Sequence, residues 1–334
     1  MKGLRSVALN LALLVGSLGL TVVVAELILA WTGYEYAPLK IDATQIDSRL
    51  FHVFEDDHFV YDPELTWRPR ASYDVFNAQG FRGPELPAEK PDGAFWIFAI
   101  GDSNTLGSQG EDGGNWPGSL HAVLHKACPD LQVINAGVWG YSSHQGLILM
   151  KRVLDYHPDL VLVSFGSNDA HPVRVPDRQY RVGFAWSDRI GRMLEPFHLG
   201  RLVLGMAKQF VGLQGDELTH RVNLEDYREN LREMIRRGRA GGAVVVLLTR
   251  PYVGPTPEET IWKTYAHDYN AATAEVAEEL EAPLVDLYSY FKKRDEFFAD
   301  ESHFTNQGHE LAAEIVLDRI RPWVRPRQAS SCGA

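Results

Sequence analysis

The stretch of sequence that decides the fold is "AFWIFAIGDSNT", residues 94–105. Every residue from Ala94 to Ile100 is apolar, without alternation, which is typical of a strand buried on both faces of a parallel sheet. The apolar run ends at once in Gly101-Asp102-Ser103, residues that favour a turn. Ligands of open α/β sheets bind beyond the carboxyl ends of the strands. We therefore expect a functional site to begin at Asp102 and Ser103.

Strands and helices continue to alternate through the rest of the chain. Four further apolar runs predict strands, at residues 131–137, 159–166, 243–251 and 282–288. Patterns with helical spacing separate or follow them, at residues 116–127, 144–156, 225–240, 265–281 and 306–324. Strands that are separated by helices indicate a parallel sheet covered on both faces. With residues 94–101, the sequence therefore predicts an α/β domain with five parallel strands.

Charge and cysteine content exclude several classes of protein. The 334 residues carry a formal net charge of −11, which argues against a nucleic-acid partner because phosphate binding needs a basic surface. The two cysteines, Cys128 and Cys332, exclude a small disulfide scaffold, and we do not expect them to pair. The sequence contains no Cys/His cluster with the spacing of a zinc site.

An apolar segment at the N-terminus predicts a membrane anchor. Residues 7–31 contain one charged side chain, Glu26, and are long enough to cross a bilayer as a helix. Lys2 and Arg5 precede this segment and acidic residues follow it, which predicts that the remaining chain lies outside the cytoplasm, in the periplasm or extracellular space. The alternative is a signal peptide that is cleaved after Ala25, which would release a secreted protein.

The sequence as a whole divides into four predicted segments. They are a membrane anchor or signal segment at 1–31, a linker and irregular cap at 32–92, the α/β domain at 93–325, and a disordered tail at 326–334. Within the α/β domain, residues 171–224 break the alternation of strands and helices with a long, partly helical pattern. A loop of this length is either a surface insertion or a functional lid over the site.

Residues that could carry chemistry follow the predicted strands at the edge where a ligand is expected. They are Ser103 after the first strand, Gly140 after the second, Asn168 and Asp169 after the third, and Asp300 and His303 before the last helix. These are the parts that acyl transfer needs. A serine hydroxyl becomes a nucleophile when a base such as histidine takes its proton, and a carboxylate orients that histidine. Backbone N–H groups and an asparagine amide can stabilise the developing oxyanion.

These residues stand in blocks that resemble the SGNH hydrolase family, also called GDSL esterases. The blocks are Gly101-Asp102-Ser103, Gly140, Gly166-x-Asn168-Asp169 and Asp300-x-x-His303, in this order within residues 94–324. Asn104-Thr105 stands where the founding motif has leucine, a position that varies within the family. The resemblance implies a flavodoxin-like, three-layer α/β/α sandwich with a five-stranded parallel sheet.

The same resemblance implies a role for each residue in the blocks. Ser103 is the expected nucleophile, His303 the base, and Asp300 the acid that orients it. The expected oxyanion hole consists of the N–H groups of Ser103 and Gly140 and the side-chain amide of Asn168. This chemistry requires no cofactor and no metal.

A second resemblance concerns the region before the α/β domain. The segments "YDPELTWRPR" (61–70) and "NAQGFRGPEL" (77–86), placed after a membrane segment, resemble membrane-anchored extracytoplasmic members of the family. Some relatives of that kind modify polysaccharides by moving or removing acetyl groups. This resemblance does not define a substrate for the present chain.

The sequence therefore predicts a serine-dependent ester hydrolase that acts outside the cytoplasm through an acyl-serine intermediate. A short-chain acyl ester is the expected substrate, with carbohydrate O-acetyl esters among the candidates. One alternative is an O-acyltransferase that moves an acetyl group onto a glycan, and another is a catalytically silent, membrane-tethered binding or assembly protein. The expected partners are a small-molecule or glycan ester and the membrane, without nucleic acid. The sequence does not indicate an oligomeric state.

Other candidate residues have simpler explanations. His121 and His125 have the i, i+4 spacing of helical zinc ligands, but no third ligand accompanies them. We interpret His309 as a structural or exposed residue and His171 as a neighbour of the site. Trp139 and Phe165 flank the motif blocks, where they could line an acyl pocket or pack in the core.

Overall fold

A computed structural model of the protein describes most of the chain. The described residues are 2–32, 57–107, 114–173, 175–179, 197–211, 219–252 and 261–331. They divide into two compact units. One unit combines Met1–Asp47 with Gln179–Glu217, and the other combines Ser48–Arg178 with Leu218–Ala334.

A five-stranded parallel sheet forms the centre of the second unit, as the sequence predicts. Its strands are β3 (Phe95–Gly101), β4 (Leu131–Gly137), β5 (Leu160–Ser164), β8 (Val244–Leu248) and β9 (Leu284–Val285), and their spatial order is β4-β3-β5-β8-β9. The chain adds β4 on one side of β3 and β5 on the other, so the strand order reverses at β3. A crevice opens beyond the carboxyl ends of the strands at such a reversal, which is where β3 delivers Asp102 and Ser103.

Helices cover both faces of this sheet. One face is covered by α3 (Trp116–Ala127) and α9 (Asn306–Ser331), and the other by α4 (Ser143–Leu154), α6 (Leu224–Ala240) and α7 (Ile261–Glu279). Side chains of β3 alternate between the two cores, with Ile97 and Ala99 on the α3 side and Phe98 and Ile100 on the α4 side. All residues of β3 are buried, which explains why its sequence is apolar without alternation.

Two very short helices follow strands of the sheet. The first, α2 (Ser103–Leu106), comes directly after β3, and the second, α8 (Leu287–Phe291), comes after β9. The strand predicted at 282–288 is therefore shorter in the structure, because Asp286 ends it. The Asp286 carboxylate accepts the backbone N–H of Ser289 at 3.1 Å and begins α8.

The glycine that ends β3 is required by close packing. A Cβ on Gly101 would lie 2.2 Å from Oγ1 of Thr105 and 2.7 Å from the carbonyl oxygen of Ser164. Both distances are far below van der Waals contact, and the second involves rigid backbone. The turn that carries Ser103 therefore approaches β5 more closely than any residue with a side chain would allow.

The predicted cap segment contains regular structure. Residues 33–56 lie outside the described residues, but an antiparallel hairpin follows, formed by β1 (Phe59–Asp62) and β2 (Thr66–Pro69). The turn of the hairpin depends on Asp62, whose Oδ1 accepts the backbone N–H groups of Glu64 and Leu65 at 2.9 Å. The same carboxylate pairs with Arg152 on α4 at 2.9 Å. Leu65 and Trp67 are fully buried in the core of the second unit.

The insertion begins and ends in a small antiparallel pair of strands, β6 (Pro172–Val173) and β7 (Thr219–His220), within the second unit. Between them, α5 (His198–Val211) belongs to the first unit together with α1 (Lys2–Thr32). Residues 180–196 and 212–218 lie outside the described residues. By length and composition, Leu13–Thr32 in α1 could cross a membrane.

Two further features, the end of the closing helix and the state of Cys128, differ from the sequence interpretation. The closing helix continues to Ser331, beyond the predicted end at residue 324 and into the predicted tail, of which residues 332–334 lie outside the described residues. Cys128, directly after α3, is disulfide-bonded. We did not expect this bond from the sequence, whose other cysteine, Cys332, is outside the described residues.

Candidate active site

The predicted nucleophile, Ser103, begins α2 at the carboxyl end of β3. The residue before it, Asp102, is buried and caps this helix by accepting the backbone N–H of Asn104 at 2.9 Å. The Oγ atom of Ser103 lies 2.8 Å from Nε2 of His303, although the two residues are 200 positions apart in the chain. The structure therefore brings together two of the residues that the sequence assigns to one site.

The predicted base and acid, His303 and Asp300, lie in the loop before α9. The Oδ2 atom of Asp300 is 2.7 Å from Nδ1 of His303. Its Oδ1 atom accepts the backbone N–H groups of Ser302 at 2.8 Å and His303 at 2.9 Å. A carboxylate facing Nδ1 favours the tautomer with hydrogen on that nitrogen, which leaves Nε2 as the acceptor for the Ser103 hydroxyl.

These contacts keep Asp300 ionised. Partial burial acts to raise the pKa of Asp300, but the hydrogen bonds from the Ser302 N–H, the His303 side chain and the His303 N–H outweigh it. The pKa of Asp300 therefore lies below its ordinary value. The negative charge beside Nδ1 is present at neutral pH, where it stabilises a positively charged imidazolium.

A buried arginine that sequence reasoning missed connects the turn that carries Ser103 to the loop that carries His303. Nε of Arg250, just after β8, donates to Oδ2 of Asp102 at 2.9 Å and to Oδ1 at 3.1 Å. Its Nη1 atom donates to the carbonyl oxygen of Ser302 at 2.7 Å. Asn270 holds the backbone of Arg250 from both sides, accepting its N–H at 2.7 Å and donating to its carbonyl oxygen at 2.8 Å.

The predicted oxyanion donors surround the same cleft. Ser103, Gly140 and Asn168 all line it. Gly140 has a φ of 72°, a left-handed conformation that favours glycine, and its carbonyl oxygen accepts Nη1 of Arg221 at 2.7 Å. One amide hydrogen of Asn168 is donated to the carbonyl oxygen of Tyr141 at 3.1 Å. An amide group has two hydrogens, so the second can serve a ligand.

Arg221 is a second buried arginine that sequence reasoning missed. It forms an ion pair with Asp177 at 3.0 Å and donates to Oε1 of Gln145 at 3.0 Å, in addition to its bond to Gly140. Asp177 also accepts the hydroxyl of Ser142 at 2.6 Å. This network holds the Gly140 loop against the base of the insertion.

Asp169, the residue after Asn168, links two elements of the site through hydrogen bonds. Its carboxylate is fully buried and accepts the hydroxyl of Ser143 at 2.5 Å and the backbone N–H of Gly166 at 3.1 Å. Burial raises the pKa of Asp169 to about 7, despite the hydrogen bonds from Ser143. Asp169 therefore connects the turn that carries Asn168 to the start of α4.

The cleft itself is open and has a volume of about 540 Å³. Besides the predicted residues, Trp67, Trp139, His171 and His309 line it. Burial lowers the pKa of His171 to about 4 and that of His309 to about 3, with nearby arginines adding to the effect. Both imidazoles are therefore neutral at pH 7, whereas the arginines near them are positively charged.

The aromatic wall of the cleft depends on the cap. Trp67, on the hairpin, donates from Nε1 to the carbonyl oxygen of Trp139 at 3.0 Å. Tyr141 donates its hydroxyl to the carbonyl oxygen of Trp67 at 2.5 Å. Trp139 is half-buried and faces the cleft. Trp67 lies in the segment 61–70 that resembles anchored family members, but that resemblance did not assign it to the site.

The remaining sequence candidates lie elsewhere. His121 and His125 stack on each other with ring centroids 4.9 Å apart. Within the part of the chain that the structure describes, no group of His, Cys, Asp and Glu side chains is arranged to hold a metal ion. Phe165 is buried in the core and does not line the cleft.

The fold is of the α/β class, and comparison with known families shows an ester-hydrolysing enzyme. The family model described as "GDSL-like Lipase/Acylhydrolase family" matches residues 99–311, well over half of the chain. The chain belongs to this family, in agreement with its motif blocks.

The individual proteins that resemble the chain share limited sequence identity with it or match only part of it. An arylesterase from Vibrio mimicus is 36% identical over 74 residues, which cover 22% of this chain and only 37% of that relative. A lipase/acylhydrolase from Enterococcus faecalis is 25% identical, with a TM-score of 0.46 and coverage of 69% of this chain and 96% of that one. An acetyl xylan esterase from Geobacillus stearothermophilus is 20% identical, with a TM-score of 0.47 and coverage of 68% and 94%.

Proposed function

We propose that the chain is a serine esterase in which Ser103 is the nucleophile, His303 the general base and Asp300 the residue that orients the base. The observation that carries this proposal is the continuous chain of contacts from Ser103 Oγ to His303 Nε2 at 2.8 Å and from His303 Nδ1 to Asp300 Oδ2 at 2.7 Å. Both distances suit proton transfer without rearrangement.

The reaction proceeds in two halves. His303 takes the hydroxyl proton of Ser103 as Oγ forms a bond to the ester carbonyl carbon, and the tetrahedral intermediate then expels the alcohol, which receives the proton from His303. In the second half, water deprotonated by His303 attacks the acyl-serine. The second tetrahedral intermediate then expels Oγ of Ser103, which recovers its proton from His303 as the acid is released. In each half the oxyanion accepts hydrogen bonds from the N–H groups of Ser103 and Gly140 and from the Asn168 amide.

We propose a short-chain acyl ester as the substrate, with a carbohydrate O-acetyl ester as the leading candidate. The open cleft of about 540 Å³ supports an alcohol portion larger than a simple alkyl group. Its walls combine the half-buried indole of Trp139 with the polar side chains of Asn168, His171 and Arg221. An apolar face with a few polar groups around it suits a sugar ring and its hydroxyls.

We propose an extracytoplasmic location, with α1 as the membrane anchor. The apolar span Leu13–Thr32 supports the anchor. The disulfide at Cys128 supports an oxidising compartment, because disulfides persist mainly outside the cytoplasm.

The experiment that tests this function measures p-nitrophenol release from acetyl to octanoyl esters by the full chain in detergent. The Ser103→Ala variant is compared with Ser289→Ala, which changes an exposed serine outside the cleft. We expect loss of activity and of fluorophosphonate labelling only in Ser103→Ala. Labelling that survives in Ser103→Ala would overturn the assignment of the nucleophile.

A second assay addresses the substrate. Acetylated and free oligosaccharides are supplied in turn, and acetate release and sugar acetylation are both followed. We expect acetate release from the acetylated sugar. Acetyl groups found on the free sugar instead would identify an O-acyltransferase.

A further inference from the structure

An acidic residue within the apolar helix α1 binds the start of α5. The carboxylate of Glu26 accepts the backbone N–H of His198 at 2.8 Å and that of Leu199 at 2.7 Å. The first N–H groups of a helix have no partners within the helix, so Glu26 supplies acceptors to α5 from a different helix. The acidic residue that is out of place in an apolar segment therefore has a structural role, which is to join α5 to α1.

The helix joined in this way is amphipathic. Leu199, Leu202, Val203 and Met206 follow the i, i+3, i+4, i+7 spacing of one helical face, and Arg201 lies on the opposite face. Val203 is 49% exposed and Met206 is 58% exposed. An apolar stripe open to its surroundings, with a basic residue opposite, is the pattern of a helix that lies in a membrane interface.

The position of Glu26 along α1 agrees with such a location. Glu26 lies six residues before the end of the apolar span Leu13–Thr32, which corresponds to a depth of about 9 Å at 1.5 Å per residue. Interfacial helices sink about 5–10 Å into the boundary between headgroups and acyl chains. Trp31 lies near the same end of α1 and is 88% exposed, and tryptophan is enriched at the level of the headgroups.

We propose that α5 lies in the outer interface of the bilayer that α1 crosses, with Leu199, Val203 and Met206 facing the acyl chains. This inference rests on the proposed membrane anchor. The observations that carry it are the two hydrogen bonds from α5 to Glu26, the exposed apolar stripe and the depth of Glu26. The long insertion is thereby bound to the membrane surface at α5.

The test places a fluorescent reporter on α5 in the full chain. NBD-maleimide is attached to Val203→Cys, Met206→Cys or Arg201→Cys, and each protein is reconstituted in phosphatidylcholine/phosphatidylglycerol vesicles that contain nitroxide-labelled lipids. Native Cys128 is disulfide-bonded, and the unsubstituted chain is treated in parallel to measure background labelling. We expect blue-shifted emission and several-fold stronger quenching at positions 203 and 206 than at position 201.

A second substitution tests the connection to α1. Adding Glu26→Leu to Met206→Cys removes the acceptors of the His198 and Leu199 N–H groups, and we expect the quenching at position 206 to fall. Glu26→Gln keeps a side-chain oxygen that can accept a hydrogen bond, so we expect it to retain more of the quenching at position 206.

Flotation of the vesicles after carbonate extraction distinguishes failure of this inference from failure of the proposed anchor. Floating protein with no lipid quenching at positions 203 and 206 would overturn the inference and leave the anchor in place. Equal quenching at all three positions would also overturn it, because α5 would then have no orientation. Protein that fails to float would overturn the anchor and the inference together.

Discussion

The guanidinium of Arg250 donates to both carboxylate oxygens of Asp102, at 2.9 and 3.1 Å, and both side chains are buried. Asp102 directly precedes Ser103, and Arg250 also donates to the carbonyl oxygen of Ser302, which directly precedes His303. One side chain therefore sets the separation between the loops that carry Ser103 and His303, which meet in the proposed proton transfer. Its Asp102 partner lies 148 positions away in the chain.

The first prediction concerns Arg250→Lys. A lysine keeps the positive charge beside Asp102 but has one ammonium group, which cannot reach both Asp102 and the Ser302 carbonyl in the fixed geometry of a guanidinium. We expect kcat to fall about 10²-fold, the effect of a displacement of about 1 Å at a reacting pair. KM should change little, because Arg250 does not line the cleft.

Steady-state kinetics and a urea unfolding curve check this prediction. The unfolding midpoint shows whether the variant retains its fold, since the charge pair is preserved. A folded Arg250→Lys protein with the kcat of the unsubstituted chain would show that Arg250 does not position the site.

The second prediction concerns Asn168, which we propose as an oxyanion donor. Replacing it with alanine removes the amide, and we expect kcat to fall about 10²–10³-fold. Asn223→Ala is the matched control, because the exposed Asn223 caps α6 by accepting the Asp226 N–H at 2.8 Å. The control should lose about 1 kcal/mol of stability and keep its activity. Equal kcat values for the two variants would remove Asn168 from the oxyanion hole.

The third prediction is loss of stability in acid. In the folded chain the pKa of His309 is lowered from its ordinary 6.5 to about 3, and that of His171 to about 4, mainly by burial. Protons therefore bind the unfolded chain preferentially below pH 6.5. The stability from these neutral histidines is full above pH 6.5 and is lost progressively as the pH falls towards 4 and 3. At pH 5 the loss is about 2 kcal/mol for each histidine.

Urea unfolding of His309→Gln at pH 7.5 and pH 5 measures this effect. We expect the variant to lose about 2 kcal/mol less than the unsubstituted chain on acidification, since one buried imidazole is missing. His157→Asn changes an exposed histidine and should leave the pH dependence unaltered. An unaltered pH dependence in His309→Gln would contradict the prediction.

The fourth prediction tests the contribution of the cap to the cleft. Trp67→Phe keeps an aromatic ring but removes the N–H that donates to the Trp139 carbonyl at 3.0 Å. Loss of this part-buried hydrogen bond should cost about 1 kcal/mol of stability, and displacement of Trp139 should raise KM. Trp323→Phe alters a partly buried tryptophan that packs in the opposite core. A raised KM in both variants would indicate a general effect on the fold.

Local patterns in the sequence were sufficient to predict the sheet and the residues at its edge. Apolar runs mark the strands. Ser103, Gly140 and Asn168 meet because their strands end at the same edge, and the loop before α9 brings His303 to them. The sequence did not indicate the end of β9, because the Asp286 cap outweighs the apolar residues that follow it. Arg221 and Arg250 were missed for a different reason: their partners are distant in the chain, and a single arginine has no periodicity or motif.

The hydrogen bonds between the cap and the α/β domain define how much of the chain must be inherited together. The span shared with the family begins at residue 99, inside β3, whereas the hydroxyl of Tyr141 and the amide of Gln145 find their acceptors at Trp67 and Leu65. A recombination event that transferred only the family span would remove the acceptors of both donors and uncover the core that the hairpin packs against. The hairpin and the α/β domain are therefore expected to evolve as one unit. Substitutions in the cap should be correlated with substitutions in the loop that carries Gly140.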